Sequence, residues 1–185
     1  MAGRITCTIT FLEMLQAPAH YPPLPALDLP VALMRAEAPT VAFYRFLYET
    51  VGARWLWFER RLLSDRRLEA IVQDPAVEVW VLYCGGQPAG YAELDCRDQP
   101  RNGDIDLAYF GLMPAFIGRR LGPYLLGSAL ERAWSKAPRR VTVNTNSLDH
   151  PSALPLYQKL GFAPLRREQR SFEDPRSTGL IPANG

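Results

Sequence analysis

Cysteine is scarce in this chain, and histidine is scarcer still. Cys7, Cys84 and Cys96 are the only cysteines, and His20 and His150 the only histidines, in 185 residues. They form no CxxC pair and no Cys/His group at metal-ligand spacing, so no disulfide framework or structural zinc site is encoded, and no metal is expected. Buried, reduced thiols in a cytoplasmic protein are the expectation. Long apolar runs are missing too. A membrane span needs about 18 or more mostly apolar residues, and no window supplies them. The opening "MAGRITCTITFLEML" lacks the apolar run and small-residue cleavage site of a signal peptide. No membrane partner is therefore expected. A charge excess is absent as well: 21 Lys and Arg against 19 Asp and Glu leave a formal net charge of +2. Domains that bind nucleic acid usually carry a strong basic excess, so no nucleic-acid partner is expected. The phosphate-binding signatures of nucleotide and dinucleotide proteins are absent: there is no Gly-Lys-Ser/Thr ending and no GxGxxG.

What the chain does have is enough apolar residue, 48%, to bury a core, at a length that suits one domain. Residues 4–14 alternate imperfectly and read as a strand. Residues 16–30 are crowded with proline and read as an extended connector. Residues 39–52 follow helix grammar, with Thr40 as cap, Gly52 at the end and an apolar stripe of Val41, Tyr44, Phe46, Leu47, Tyr48 and Val51. Residues 55–63 and 64–75 read as two more short helices, the second capped by Ser64 and stopped before Pro75. Residues 77–84, 89–96 and 104–113 read as a three-strand meander, turned first at "GGQP", with 97–103 as a loop and Pro114 as the stop. A helix follows from Leu121, a strand over 139–145, a short helix over 150–160, and a last strand over 162–173. The sum is a mixed α/β layer, not a regular βαβ series.

Between the third meander strand and the long helix lies "FIGRRLGPYLL", residues 116–126. Gly118 and Gly122 allow the backbone to close on an anion, the helix start offers free N–H groups, and Arg119 and Arg120 add charge. The alternative is a plain basic loop before an ordinary helix. Sixteen residues past the end of that stretch, "TVNTNSLDHPSALPLYQKLGF" (142–162) couples a strand to a helix with Ala153, Leu156, Tyr157, Lys159, Gly161 and Phe162 at fixed spacing.

Together the two stretches resemble the GCN5-related N-acetyltransferase (GNAT) family, over roughly residues 77–165. The resemblance implies one acyl-CoA N-acyltransferase domain: a central, mostly antiparallel sheet with one splayed parallel pair, at 104–112 and 140–145, flanked by helices. Residues 1–76 would then hold the first strand, the connector and acceptor-side helices, residues 77–165 the acetyl-CoA core, and residues 166–185 the last strand and tail. Acetyl-CoA is the implied cosubstrate. Gly111, Leu112 and Met113 would pair with its pantetheine arm, and Ile117, Gly118, Arg119, Arg120, Leu121, Gly122 and Tyr124 would meet its pyrophosphate. His150 stands in the family's asparagine place and would bond the cofactor arm or cap the helix. Ile117 and Arg120 also depart from the family pattern, and Arg120 adds a Cβ that should narrow the turn. Pro155, inside the short helix, should distort it.

The family's tyrosine corresponds to Tyr157, which would protonate the leaving thiolate unless it is simply a packed helix residue. Asp106 falls where many members place a glutamate. It and Glu93 on the neighbouring strand are the candidate bases, each alternatively a structural carboxylate. Tyr44, Tyr48, Trp55 and Trp57, with Phe43, would wall the acceptor pocket, or belong to the core. The implied partner is a small-molecule or peptide amine, and exposed strand edges make a homodimer plausible. A non-catalytic acetyl-CoA sensor is the second reading. A cysteine hydrolase using Cys84 or Cys96 with His20 or His150 is the third.

Overall fold

Side-chain alternation and turn chemistry set most of the elements in the computed structural model, which describes residues 3–182. Strand β1, Arg4–Met14, turns Cys7, Thr10, Leu12 and Met14 inward. After the proline-rich stretch comes a short strand that the sequence did not announce, β2, Val31–Arg35. Helix α1, Val41–Gly52, starts where the Thr40 side chain accepts from the Phe43 N–H at 3.3 Å. It buries Tyr44, Leu47, Tyr48 and Val51. Phe46, expected on the same stripe, is 49% exposed. It stands two residues from Tyr44, about 200° around the helix.

The helix expected over 55–63 does not form. Two 3-10 turns, Ala53–Trp55 and Glu59–Leu62, are separated by Leu56 in the left-handed region at φ 56°. One reversed residue ends any helical run, and the Trp57 N–H bonds back to the Gly52 carbonyl at 3.0 Å. The segment is a strap lying over the sheet. Helix α2 is Asp65–Val72, and Ser64 makes no side-chain cap. Strands β3, Val77–Cys84, and β4, Gln87–Asp95, form a hairpin that turns at Gly85 and Gly86, both at positive φ. The expected loop at 97–103 contains a four-residue helix, α3, Gln99–Asn102. Strand β5, Asp104–Leu112, leads through a 3-10 turn at Pro114–Phe116 to helix α4, Leu121–Trp134. Strand β6, Arg140–Asn146, helix α5, Ala153–Lys159, and strand β7, Ala163–Glu173, follow. Pro155 does not distort α5. It is the helix's third residue, where an N–H would have no intrahelical partner.

The seven strands form one sheet in the order β2-β3-β4-β5-β6-β1-β7. Every pairing is antiparallel except β5 with β6. Strand β1 therefore lies apart from the other elements of residues 1–76, between β6 and β7. The parallel pair is short: Asp104–Leu107 meets Arg140–Val143 and the pairing stops. At that level the register between β4 and β5 shifts, with Glu93 opposite Tyr109 but Leu94 opposite Leu107, so Ala108 bulges. A bulge bends its strand, and here the second half of β5 leaves β6. Helix α1 packs on one face, with Val51 against Gly111, and α4 on the other, with Arg132 over Trp80. Among the described residues no helix is long and apolar enough to cross a membrane.

Candidate active site

The fork between β5 and β6 opens into a cavity of about 790 Å³ that runs through the sheet. On the α4 side its walls include Phe110 and Leu112 of β5, Ile117, Gly118, Arg120 and Gly122 of the turn, and Leu156 and Tyr157 of α5. The turn is held open by two left-handed residues, Gly118 at φ 84° and Arg120 at φ 61°. Arg120 thus adopts the conformation a glycine would take, and its Cβ does not close the turn. Among the described residues, the N–H groups of Gly118, Arg120, Leu121 and Gly122 have no acceptor, whereas those of Ile117 and Arg119 bond back to Pro114 and Phe116. Four free donors around a helix start form an anion nest. The turn has the donors that a pyrophosphate needs. Beyond Leu107, the edge of β5 facing the fork is unpaired and can receive an extended amide-bearing arm.

Several of the expected cofactor residues stand elsewhere. The Met113 N–H is taken by the Ala89 carbonyl at 2.9 Å. The Arg119 guanidinium lies over the Phe116 ring, 5.0 Å from its centroid. The Leu121 side chain is fully buried, so only its N–H serves the nest, and Tyr124 does not line the cavity. Gly111 and His150 do line it. The His150 Nδ1 accepts from the Ser152 N–H at 3.1 Å, and its ring packs edge-on against Trp55. It therefore caps the start of α5 and borders the cavity at once.

Tyr157 sits on the wall beneath Phe110 and Phe162, 4% exposed. Burial, followed by the charges of Asp149 and Asp106, pushes its phenol well above the ordinary tyrosine range. At neutral pH it holds its proton. The two candidate bases are not on the cavity wall. Asp106 lies at the closed end of the fork, opposite Thr142, whose hydroxyl donates to it at 2.7 Å. Burial raises its carboxyl, against that hydrogen bond. Glu93 is completely buried behind the wall. It accepts from the Arg60 guanidinium at 2.6 Å and from the Tyr44 hydroxyl. Burial raises its carboxyl too, with Arg60 pulling the other way.

The same cluster withdraws two of the expected acceptor residues. Tyr44 bonds Glu93, and the Tyr48 hydroxyl accepts from the Arg60 N–H at 3.3 Å, so both rings belong to the core. Trp55 and Trp57 line the cavity as expected. Their companions were not anticipated: Ile9 and Phe11 from β1, Asn144 and Asn146 from β6, Asp149 from the following loop, Glu59 from the strap and Arg170 from β7. The strands are far apart in sequence, and only the sheet order brings them together. Asp149 did leave a trace. It stands three residues after Asn146 in "NSLD", and its Oδ2 accepts from the Asn146 N–H and the Thr145 hydroxyl. Polar residues that bond nearby backbone in this way mark turns. Cys7, Cys84 and Cys96 are all buried and do not line the cavity. Among the described residues no three His, Cys, Asp or Glu side chains group to hold a metal ion.

A family model described as "Acetyltransferase (GNAT) family" matches residues 40–162, about two thirds of the chain. The chain belongs to the GNAT acetyltransferase family. Solved structures share the fold at low identity. A GCN5-related N-acetyltransferase from Sphaerobacter thermophilus superposes with a TM-score of 0.64 at 16% identity, over 91% of this chain and 52% of that one. An IAA acetyltransferase from Bacillus cereus gives 0.54 at 21%, over 74% and 79%. An aminoglycoside acetyltransferase from an uncultured soil metagenomic sample, in complex with trehalose, gives 0.58 at 13%, over 70% and 86%. The GNAT chain spans 52% of the length of the Sphaerobacter protein and 60% of a GCN5-related N-acetyltransferase from Kribbella flavida. No curated protein sequence matches it.

Proposed function

We propose that this GNAT protein is an acetyl-CoA-dependent N-acetyltransferase that acylates a primary amine by direct attack. One observation carries the reading. The split between β5 and β6 leads on one side to a nest of four free N–H groups and on the other to an aromatic-walled chamber, with Tyr157 on the wall. Acetyl-CoA supplies an activated acyl thioester. The nest from Gly118 to Gly122 binds its pyrophosphate, and the free edge of β5 holds the pantetheine arm. Backbone donors there polarise the carbonyl that is attacked. Tyr157, protonated in its buried site, gives a proton to the departing sulfur. The amine must arrive neutral. Glu93 and Asp106 do not face the chamber, so the proton shed before attack passes to water in the cavity rather than directly to either carboxylate. The second proton, shed from nitrogen as the amide forms, returns through water to Tyr157.

Thermal unfolding with and without ~1 mM acetyl-CoA tests the cofactor. At a dissociation constant of about 10 μM, mass action adds roughly 2.7 kcal/mol. For a chain this size that raises Tm by about 5–10 °C. A shift of that size, unmatched by ATP or NAD, followed by amine-dependent release of free thiol, is the expected result. No shift removes the acetyl-CoA reading. A shift with no thiol release from any amine leaves the sensor reading in its place.

A further inference from the structure

The chamber on the acceptor side holds one guanidinium and two carboxylates, and their states differ. Asp149 is fully engaged, accepting from the Trp57 indole, the Thr145 hydroxyl and the Asn146 N–H. Glu59 and Arg170 meet at one point only, Arg170 Nη1 to Glu59 Oε1 at 3.0 Å. The other Glu59 oxygen turns back to the Phe58 N–H at 3.3 Å. Each side chain remains nearly half exposed, 44% for Glu59 and 46% for Arg170. The guanidinium stands by two rings, 5.4 Å from the Phe58 centroid and 5.9 Å from that of Phe172, and those rings pack on each other. Stacking of this kind fixes the plane of the fork. Arginine carries five donors and grips a carboxylate best through two at once. Here one is in use.

We infer that Arg170 receives a carboxylate on the acceptor, and that the acceptor is an extended molecule with an amine at one end and a carboxylate at the other. The inference rests on the N-acetyltransferase reading for the position of the amine, at the mouth of the fork. Sheet register sets the separation. Asn144, just beyond the last parallel pair, lies opposite Phe11, and Arg170 lies opposite Cys7. The two positions are thus four residues apart along the strands and two strands apart across them. At about 3.3 Å per residue and 4.8 Å per strand, their backbones are roughly 16 Å apart. The arginine side chain spans part of that gap, leaving roughly 10 Å, or seven to eight single bonds, between amine and carboxylate. A free amino acid reacting at its α-amine is too short. An ω-amino acid or a short peptide fits, its body lying along Trp55 and Trp57. The Phe11 ring is covered by the Arg166 guanidinium, 3.7 Å from its centroid. Glu59 competes for the same guanidinium, so it sets how tightly the carboxylate is held.

The test compares 8-aminooctanoate with its amide, 8-aminooctanamide, which differ only in the anionic end. Binding is measured by calorimetry in the presence of CoA, and acylation by free-thiol release. The carboxylate should bind about tenfold tighter, the worth of one charge-assisted hydrogen bond. Arg170→Gln, which keeps a stem to pack on Phe58, should erase that preference. Glu59→Gln should enlarge it severalfold, because the competitor is gone. An ion pair that only braced the fold would give the same sign for both substitutions. Equal binding of the two ligands, or weaker carboxylate binding in Glu59→Gln, overturns the inference. A retained preference without thiol release from either ligand defeats the transfer reading and leaves the carboxylate site standing.

Discussion

The indole N–H of Trp57 donates to Asp149 Oδ1 at 3.2 Å, across 92 residues of sequence. It ties the strap over the sheet to the loop after β6, and so joins two parts of the acceptor-side wall that are far apart in sequence. Trp57→Phe removes one of three donors to that carboxylate and should cost about 1 kcal/mol. Asp149→Ala leaves three donors without their acceptor and should cost about 2–3 kcal/mol, roughly 5–10 °C in Tm. Thermal unfolding of the two variants gives the comparison. Equal small losses would mean that the carboxylate is replaced by solvent.

Glu93 is a part of the fold in this structure rather than a group that meets substrate. Glu93→Gln should strand the Arg60 charge in the core and cost about 3–5 kcal/mol, a fall in Tm of roughly 10 °C or more. Turnover measured well below the new Tm should be largely kept. A variant with wild-type stability and lost turnover would instead make Glu93 the base.

Gly111 has no room for a side chain. A Cβ built there falls 2.4 Å from Val51 Cγ1 of α1. Gly111→Ala should therefore push α1 from the sheet and destabilise by about 1–3 kcal/mol. Val51→Ala in the same chain should recover part of the loss, since the clash is with that methyl group. Chemical denaturation of the single and double variants measures it, and simple additivity would be the contrary result.

Gly122 is the opposite case. Its nearest neighbours to a new Cβ, Leu112 and Leu156, stand 3.8 and 3.9 Å away, an ordinary contact distance. Gly122→Ala should leave acetyl-CoA affinity within a few-fold, whereas Gly122→Asp should abolish it while the protein stays folded. The negative charge, not the bulk, does the damage. Undiminished binding by Gly122→Asp in calorimetry would remove the turn from the phosphate site.

Tyr157→Phe should lower kcat by about 10²-fold and keep acetyl-CoA affinity, the signature of a lost proton donor. The pH profile carries a second check. Tyr157 is held above the ordinary tyrosine range, so its protonated form persists, and the alkaline limb should show no fall up to pH 10. With water as proton acceptor, kcat/KM should keep rising toward the pKa of the amine, about 10. A plateau from pH 6 to 7 would reveal an enzymic base.

The order of strands and helices was legible because each rests on local rules. Val77, Val79 and Val81 alternate, Gly85 and Gly86 turn the chain, and Leu125, Leu126, Ala129 and Leu130 recur at helical spacing. The turn at Gly118 was legible for the same reason, whereas Tyr157 was singled out only by its match to the family's motif in the short helix. What stayed hidden depends on distance. Nothing local says that Phe11 lies opposite Asn144, or that Arg170 lies beside Glu59. The strap at 53–62 has a helical composition, and only the reversal at Leu56 breaks it. Tyr44, Tyr48, Trp55 and Trp57 look alike as sequence. Whether each ring meets the core or the cavity is decided by that strap and by where Glu93 draws a hydroxyl.

Strand β1 has both of its partners in the last third of the chain: Ile9 pairs with Asn146 on one side and with Glu168 on the other. As the polypeptide leaves the ribosome, residues 4–14 have nothing to bond until residues 140–173 are made. Closing such long-range pairings is slow, and an apolar strand left waiting is an invitation to pair with another chain. Once home, it brings the Gly3 carbonyl to the Asp174 N–H at 2.8 Å, so the two ends of the sheet's chain finish side by side. A circular permutant that joins those ends and opens the hairpin at Gly85 and Gly86 would translate β1 next to β7, turning the last step of folding into one of the first.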